Sequence, residues 1–255
     1  MNLLFIGDVV GQSGCDFLES RMYKLKREYD IDVTVVNGEN SAQGNGITPQ
    51  SYRQLLNMGA DVVTTGNHSF RRREAEELYD TNEQLLRPAN YPEGVMGHGV
   101  TYIDMFPYKI AVVNLMGTMY MEAVENPFNY VDKLLESIDT PNIIVDFHAE
   151  ATSEKKAMGF YLQKRCTAVL GTHTHVQTAD EMILGGLTAY ITDVGMTGPE
   201  LSVLGVDSDI VINKFKYRTP VRFSESTNDC FINGVVVKFD EKSGKATNIQ
   251  RVIKR

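Results

Sequence analysis

The chain has few cysteines, no long hydrophobic run and no excess of positive charge, and each absence removes a class of protein. Cys15, Cys166 and Cys230 are odd in number and far apart, with no CxxC pair. Neither a disulfide framework nor a thiolate zinc site is expected, and the three read as buried thiols in a reducing cytosol. No apolar stretch approaches the ~20 residues of a membrane span, and the first hydrophobic run breaks at Asp8, too early for a signal peptide. A cytoplasmic protein with no membrane contact is expected. With 25 Lys and Arg against 33 Asp and Glu, the net charge of −8 supplies no basic face for DNA. A site that carries its own cations still holds phosphate, so any nucleotide should be bound locally. What is present is 255 residues, 42% of them hydrophobic, enough core for one large domain or two small ones. Without a linker, repeat or low-complexity segment, one domain over 1–255 is expected.

Apolar runs of strand length alternate with amphipathic stretches. Leu3 to Ile6, Val33 to Val36, Asp61 to Thr65, Ile143 to Phe147 and Thr167 to Leu170 read as buried strands. Between them the patterning predicts helices over about Asp16 to Tyr29, Thr48 to Gly59, Glu74 to Leu85, Phe128 to Ile138 and Glu154 to Cys166. Thr48 then serves as N-cap, Pro49 opens the first turn and Gly59 closes the helix. Gly99 to Met105 and Lys109 to Leu115 form an expected hairpin, followed by a long connection from Met116 to Phe128 that suits a lid or contact surface. After His175 the texture turns to β: Glu181 to Leu184 and Leu187 to Ile191 flank a Gly185–Gly186 turn, and Asp193 to Glu200 reads as a loop. A short helix over Asp209 to Phe215 and strands at Phe231 to Phe239 and Ala246 to Ile253 close the chain. The class is α/β, with the strands continued in a second sheet.

The strand ends carry the chemistry. Asp8 follows the first, Glu39 and Asn40 the second, Asn67 and His68 the third, His148 the fourth and the His173-Thr174-His175 triplet the fifth. Ligands bind beyond the carboxyl ends of strands in such sheets, so these tips should share one mouth. In extended chain, residues i and i+2 point the same way, which would put His173 and His175 side by side, roughly 6–7 Å apart at Cα. Hard oxygen with borderline imidazole and no sulfur suits Fe, Mn or Zn, and two carboxylates are enough to bridge a pair of divalent ions. Two ions about 3.5–4 Å apart turn a bridging water into a hydroxide nucleophile and neutralise a phosphoryl group. Each residue alone has a plainer reading: Asn67 as a turn residue, Asp8 as a helix cap, His148 as a hydrogen-bonded core histidine. Their repeated placement favours the shared site. Glu150 is a candidate to orient His148, and Thr172 or Thr174 their neighbouring histidines; surface exposure is the equal alternative. Gly195 and Met196 are candidates for the pocket rim.

In this order the tips resemble the blocks of the calcineurin-like metallophosphoesterases. The runs GDVVG, NGEN, LRPANYP, NLMG, DFHAEATSEK, GTHTHVQTAD and AYITDVGMTG are similar to the YmdB-like subfamily over almost the whole chain. That resemblance implies a four-layer αββα sandwich and a dinuclear metal site, di-iron by preference. It further implies phosphodiesterase activity on cyclic nucleotides, 2′,3′-cyclic and 3′,5′-cyclic, with a regulatory role in bacteria. By position, Asp8, Glu39, Asn40 and His175 would hold one metal; Glu39 would bridge to a second, completed by Asn67, His148 and His173. His68 would be a catalytic residue beside the leaving oxygen, as general acid or stabiliser of phosphoryl charge. The wider superfamily has His where Val10 stands and Asp where Glu39 stands, with Asn40 supplying the missing ligand. Cys15, His98 and Thr118 replace arginines of the subfamily pattern, and Arg71 an acidic residue; His98, between two glycines, reads as a loop residue. Expected partners are a small phosphodiester, RNA ends and further copies of the chain in a homo-oligomer.

The competing readings are a phosphomonoesterase or nucleotidase, a regulatory binding protein with structural metals, and an amidohydrolase barrel. The barrel places its HxH at the first strand, whereas here the triplet follows the midpoint. A non-ligand imidazole such as His68 has no use in a purely structural site.

Overall fold

Alternation in the first strand sets the layering. A computed structural model describes residues 1–43 and 45–255. In it, β1 (Asn2–Ile6) turns Leu3 and Phe5 to one face and Leu4 and Ile6 to the other, all four fully buried. A strand buried on both faces needs cover on both, and the chain supplies it. After β1 come a two-residue strand β2 (Asp8–Val9), helix α1 (Gly11–Glu28), β3 (Val33–Asn37), α2 (Pro49–Asn57) and β4 (Val62–Thr64). A 3₁₀ turn at Arg73–Ala75 runs into α3 (Glu76–Thr81), followed by β5 (Leu85–Leu86), β6 (Val100–Met105), β7 (Tyr108–Met116), α4 (Pro127–Glu136) and β8 (Ile143–His148). Then follow α5 (Thr152–Leu162), β9 (Ala168–Thr172), β10 (Met182–Leu184), β11 (Thr188–Ile191), β12 (Met196–Pro199), α6 (Ser208–Tyr217), β13 (Cys230–Asp240) and β14 (Lys245–Lys254).

One sheet has the order β2-β12-β13-β1-β3-β4-β5, with β14 added on β13; the other runs β10-β11-β9-β8-β7-β6. Leu3, Phe5, Val33 and Val35 of the first sheet pack on Ile110, Val112, Ile144 and Leu170 of the second. Helices α1 and α2 cover the first sheet's other face through Leu18, Met22 and Leu55, and α4 and α5 cover the second's through Val131, Met158 and Leu162. The four-layer αββα expectation is met. Among the described residues no helix is long and apolar enough to cross a membrane.

Three sequence expectations are corrected. The helix read over 74–85 is a single turn and six residues, because Leu85 is taken up as a strand paired with Val63. The stretch 193–200 is not all loop: β12 lies parallel to β2 and antiparallel to β13. The first helix starts at Gly11, five residues before the amphipathic pattern becomes visible at Asp16. The sequence also predicts a Gly/Asn-rich loop from Asn40 to Gly46; its residue 44 lies outside the described residues.

Candidate metal centre

Parallel pairing brings the tips together. β1, β3 and β4 are successive neighbours with one direction, so Asp8, Glu39–Asn40 and Asn67–His68 leave the sheet at one edge. β8 and β9, likewise parallel, deliver His148 and the HxH triplet to the same place. Around His148 Nε2 stand His173 Nδ1 at 3.0 Å, Asn67 Oδ1 at 3.1 Å and Glu39 Oε2 at 3.3 Å. Nearby, His175 Nε2 lies 3.8 Å from Asp8 Oδ1 and 3.2 Å from the Asn40 amide nitrogen. Asp8 and Glu39 are almost completely buried, and Asp8 Oδ1 has no hydrogen-bond partner.

The triplet reaches this position by a route the strand argument did not foresee. β9 ends at Thr172, and His173 (φ 102°) and His175 (φ 66°) both take left-handed backbone, a conformation a non-glycine residue adopts only when its surroundings impose it. Convergence here comes from a turn and not from the pleat. The turn is held by Asp193, whose carboxylate accepts from Thr174 N (3.0 Å) and Thr174 Oγ1 (2.8 Å) and pairs with the buried Lys155 at 2.6 Å. Gly66 allows a second close approach, since any side chain there would overlap His148 and Glu39.

Hydrogen-bond polarity then fixes each imidazole. Thr172 gives its one hydroxyl hydrogen to Asp146 (2.7 Å), so it accepts from His148 Nδ1 (2.9 Å). His175 Nδ1 meets the Leu204 carbonyl (3.2 Å), and His173 Nε2 meets the Glu150 carboxylate (3.1 Å); both partners only accept. Each outer nitrogen therefore carries a hydrogen, so that a ring in its neutral form turns the lone pair of its inner nitrogen to the cluster. Glu150 thus orients His173 and not His148, which Thr172 serves; Thr174 goes to Asp193.

Without a metal, electrostatics put a second proton on His148. Burial pushes the Asp8 pKa up, whereas at Glu39 the imidazoles of His148 and His68 overcome burial and hold the carboxyl well below its usual range. Burial opposes charge on His148, but the Glu39 carboxylate lifts its pKa to about 9; burial and His148 together depress His173 to about 3. Buried carboxylates facing inward ring nitrogens call for a cation, a place that the His148 proton takes when no metal is bound. Donor atoms of Glu39, His148 and His173 lie within 4.8 Å of one another. A cation about 2.0–2.2 Å from its ligands holds neighbouring ligands about 2.9–3.5 Å apart, the spacing seen around His148 Nε2.

His68 stands at the margin. Its Nδ1 is 2.9 Å from Asn40 Oδ1 and 3.2 Å from Glu39 Oε1, and its ring lines a cavity of about 330 Å³ that also reaches Asn40, His173 and His175. Asn40 here turns its oxygen to His68 and its nitrogen to Glu39 (3.0 Å); a half-turn of the amide would place the oxygen among the donors. Tyr120, Met121 and Glu122 of the long 116–128 connection flank Asn67 and His173, so that segment borders the centre. Met196 sits in β12 and lines a separate cavity beyond His175. The positions that depart from the subfamily pattern stay out of the cluster: Cys15 is buried against Ser41 O, His98 bonds Glu83 O, Glu154 holds Thr118, and Arg71 is exposed. Sequence reasoning missed Asp146, two residues before His148 on the same face of β8, and Asp193, for which only proximity to the triplet in space was informative.

Residues 4–252 match the sequence model of the family described as YmdB-like protein. A Bacillus subtilis protein named 2′,3′-cyclic-nucleotide 2′-phosphodiesterase is 46% identical, over 99% of this chain and 97% of its own length. A Thermus thermophilus structure titled a hypothetical protein superposes with TM-score 0.94 at 36% identity, covering 99% of this chain and 98% of that one. A Mycoplasma pneumoniae structure titled a novel phosphatase gives TM-score 0.95 at 32% identity, with 99% and 92% covered.

Proposed function

The chain belongs to the YmdB-like protein family, and from that premise we propose that it is a metal-dependent phosphodiesterase opening 2′,3′-cyclic nucleotides at the 2′ bond. The observation that carries the reading is the set of inward-facing ring nitrogens of His148, His173 and His175 beside the buried carboxylates of Asp8 and Glu39. Asp8, Asn40 and His175 would hold one ion and Asn67, His148 and His173 a second, with Glu39 between them. Iron is our preferred occupant, and manganese or zinc suits the same oxygen and imidazole donors. When bound, such ions supply Lewis acidity, drawing charge from the phosphodiester and acidifying water.

The remaining work falls to side chains. His68, at the cavity margin and outside the ligand set, gives a proton to the departing 2′ oxygen. Water gives up a proton to solvent as its oxygen joins phosphorus, the P–O2′ bond breaks, and a nucleoside 3′-monophosphate leaves. The same chemistry extends to 3′,5′-cyclic nucleotides and to RNA bearing a 2′,3′-cyclic end, and a regulatory role in bacteria would follow from control of those species.

The test separates roles. His68→Ala should keep both ions and lose about 10²–10⁴-fold in kcat, whereas Asn67→Ala and His173→Ala should lose metal, read by metal analysis of purified protein. Equal metal loss in all three would overturn the assignment. A matched panel of mono- and diesters checks the class, and faster turnover of monoesters would make the protein a phosphomonoesterase.

A further inference from the structure

The cavity of about 330 Å³ beside the cluster has two unlike sides. One is polar and formed by Asn40, His68 and His175. The other is Leu204, Val206 and Phe223, and it belongs to neither sheet. These residues lie on the excursion between β12 and β13, which is pinned as a short antiparallel ladder. Val203 and Val206 exchange backbone hydrogen bonds at 2.9 and 3.0 Å, Asp207 N bonds Ser224 O at 3.1 Å, and Ser226 N bonds Gly205 O at 2.9 Å. The wall is also joined to the centre, since Leu204 O accepts from His175 Nδ1 at 3.2 Å. Phe223 is 47% exposed, with the Lys214 ammonium 4.4 Å from its ring centroid.

Phosphodiester chemistry has no use for an apolar wall with an open aromatic ring. The part of a nucleotide that does is the base, which extends from the phosphate through the ribose. Stacking of a base on an aromatic ring changes affinity by roughly 5- to 150-fold, and every base has a face to stack. The cavity also falls within the ~300–1,000 Å³ of small-molecule sites.

We propose that Leu204, Val206 and Phe223 form a nucleobase subsite, with the base of the cyclic nucleotide stacked on Phe223 while its phosphate meets the cluster. The proposal rests on the phosphodiesterase reading above. It predicts preference for nucleotides over base-free cyclic diesters but little choice among bases. Glu225, the acidic group lining the cavity on this side, is already engaged by the backbone N–H and hydroxyl of Ser13.

The experiment compares kcat/KM for 2′,3′-cyclic AMP and for the base-free 1,2-cyclic phosphate of glycerol, on metal-loaded protein. Phe223→Ala should lower the ratio of the two about tenfold, and Phe223→Trp should restore it. Binding of adenosine 3′-monophosphate relative to inorganic phosphate, followed by calorimetry, should fall in parallel. An unchanged ratio in both Phe223→Ala and Leu204→Ala would overturn the subsite while leaving the phosphodiesterase reading intact. Failure of the wild-type protein to turn over either diester would remove both.

Discussion

At the scale of residues, the centre depends on which nitrogen of each imidazole carries the hydrogen. Asp146 is buried and accepts from Thr64 (2.5 Å), Thr172 (2.7 Å) and Asn37 (3.0 Å), and burial lifts its pKa to about 6. Because Thr172 must donate to it, His148 must donate to Thr172, leaving Nε2 to bind. Asp146→Asn or Thr172→Val should therefore weaken metal affinity by about 10–100-fold, the range for partners that orient a ligand. Metal titration reads this independently of turnover. The pKa of His148 gives a pH prediction with a definite sign. Raised to about 9 by Glu39, it contributes stability that in metal-free protein is fully present below its ordinary value of about 6.5 and lost as pH rises through about 9. A metal must displace that proton, so affinity should climb about tenfold per pH unit up to about 9 and then level off. A pH-independent affinity over pH 6–9 would show that Glu39 does not hold a second proton on His148. The side-chain types that meet at the cluster were legible in the sequence because metal coordination restricts the residue chemistry to look for. Asp146 was not, since a buried Asp in a strand looks the same whether it orients a ligand or only joins two sheets.

At the scale of elements, local signals were reliable where the chain's own chemistry decides and failed where a distant strand does. Thr48 caps α2 as read, in a reciprocal box with Ser51 that also shares Ser51 Oγ with Ser41. Thr48→Ala should cost about 1 kcal/mol of stability by denaturant unfolding. By contrast, β12 and β5 exist only because β13 and β4 present free edges to them; Met196–Pro199 and Leu85–Leu86 are too short to announce themselves. The ion pair of α5 with the 193 turn is of the second kind. Lys155 and Asp193 are 1% and 0% exposed, so Lys155→Met strands a buried carboxylate and should cost about 3–5 kcal/mol. It should also loosen the His173–His175 turn, which calorimetry and metal content read separately. The LRPANYP run has a structural use here: Arg87 donates to the carbonyls of Pro88, Ala89, Val95, Met96 and Gly97.

At the scale of the whole molecule, the layer between the sheets draws on both ends of the chain, with Leu3 and Phe5 beside Val235 and Val237. We read residues 1–255 as one domain on that basis and expect a single cooperative unfolding transition. Two separate transitions in calorimetry would count against it. Side chains from both sheets meet at the cluster, so a cation bound there would tie the layers together. Metal at about a hundredfold excess over its Kd should stabilise the fold by about 2.7 kcal/mol, and chelation should reverse the gain. The sequence by itself determined the strand tips and the polar side chains that they carry, because periodicity and residue type are local properties of the chain. Only the tertiary structure decided how the histidines converge, which acceptors turn their lone pairs inward, and that a segment between β12 and β13 walls the cavity. Those outcomes depend on contacts between separate elements, such as His148 with Thr172 and His175 with Leu204, and no local pattern encodes where such partners meet.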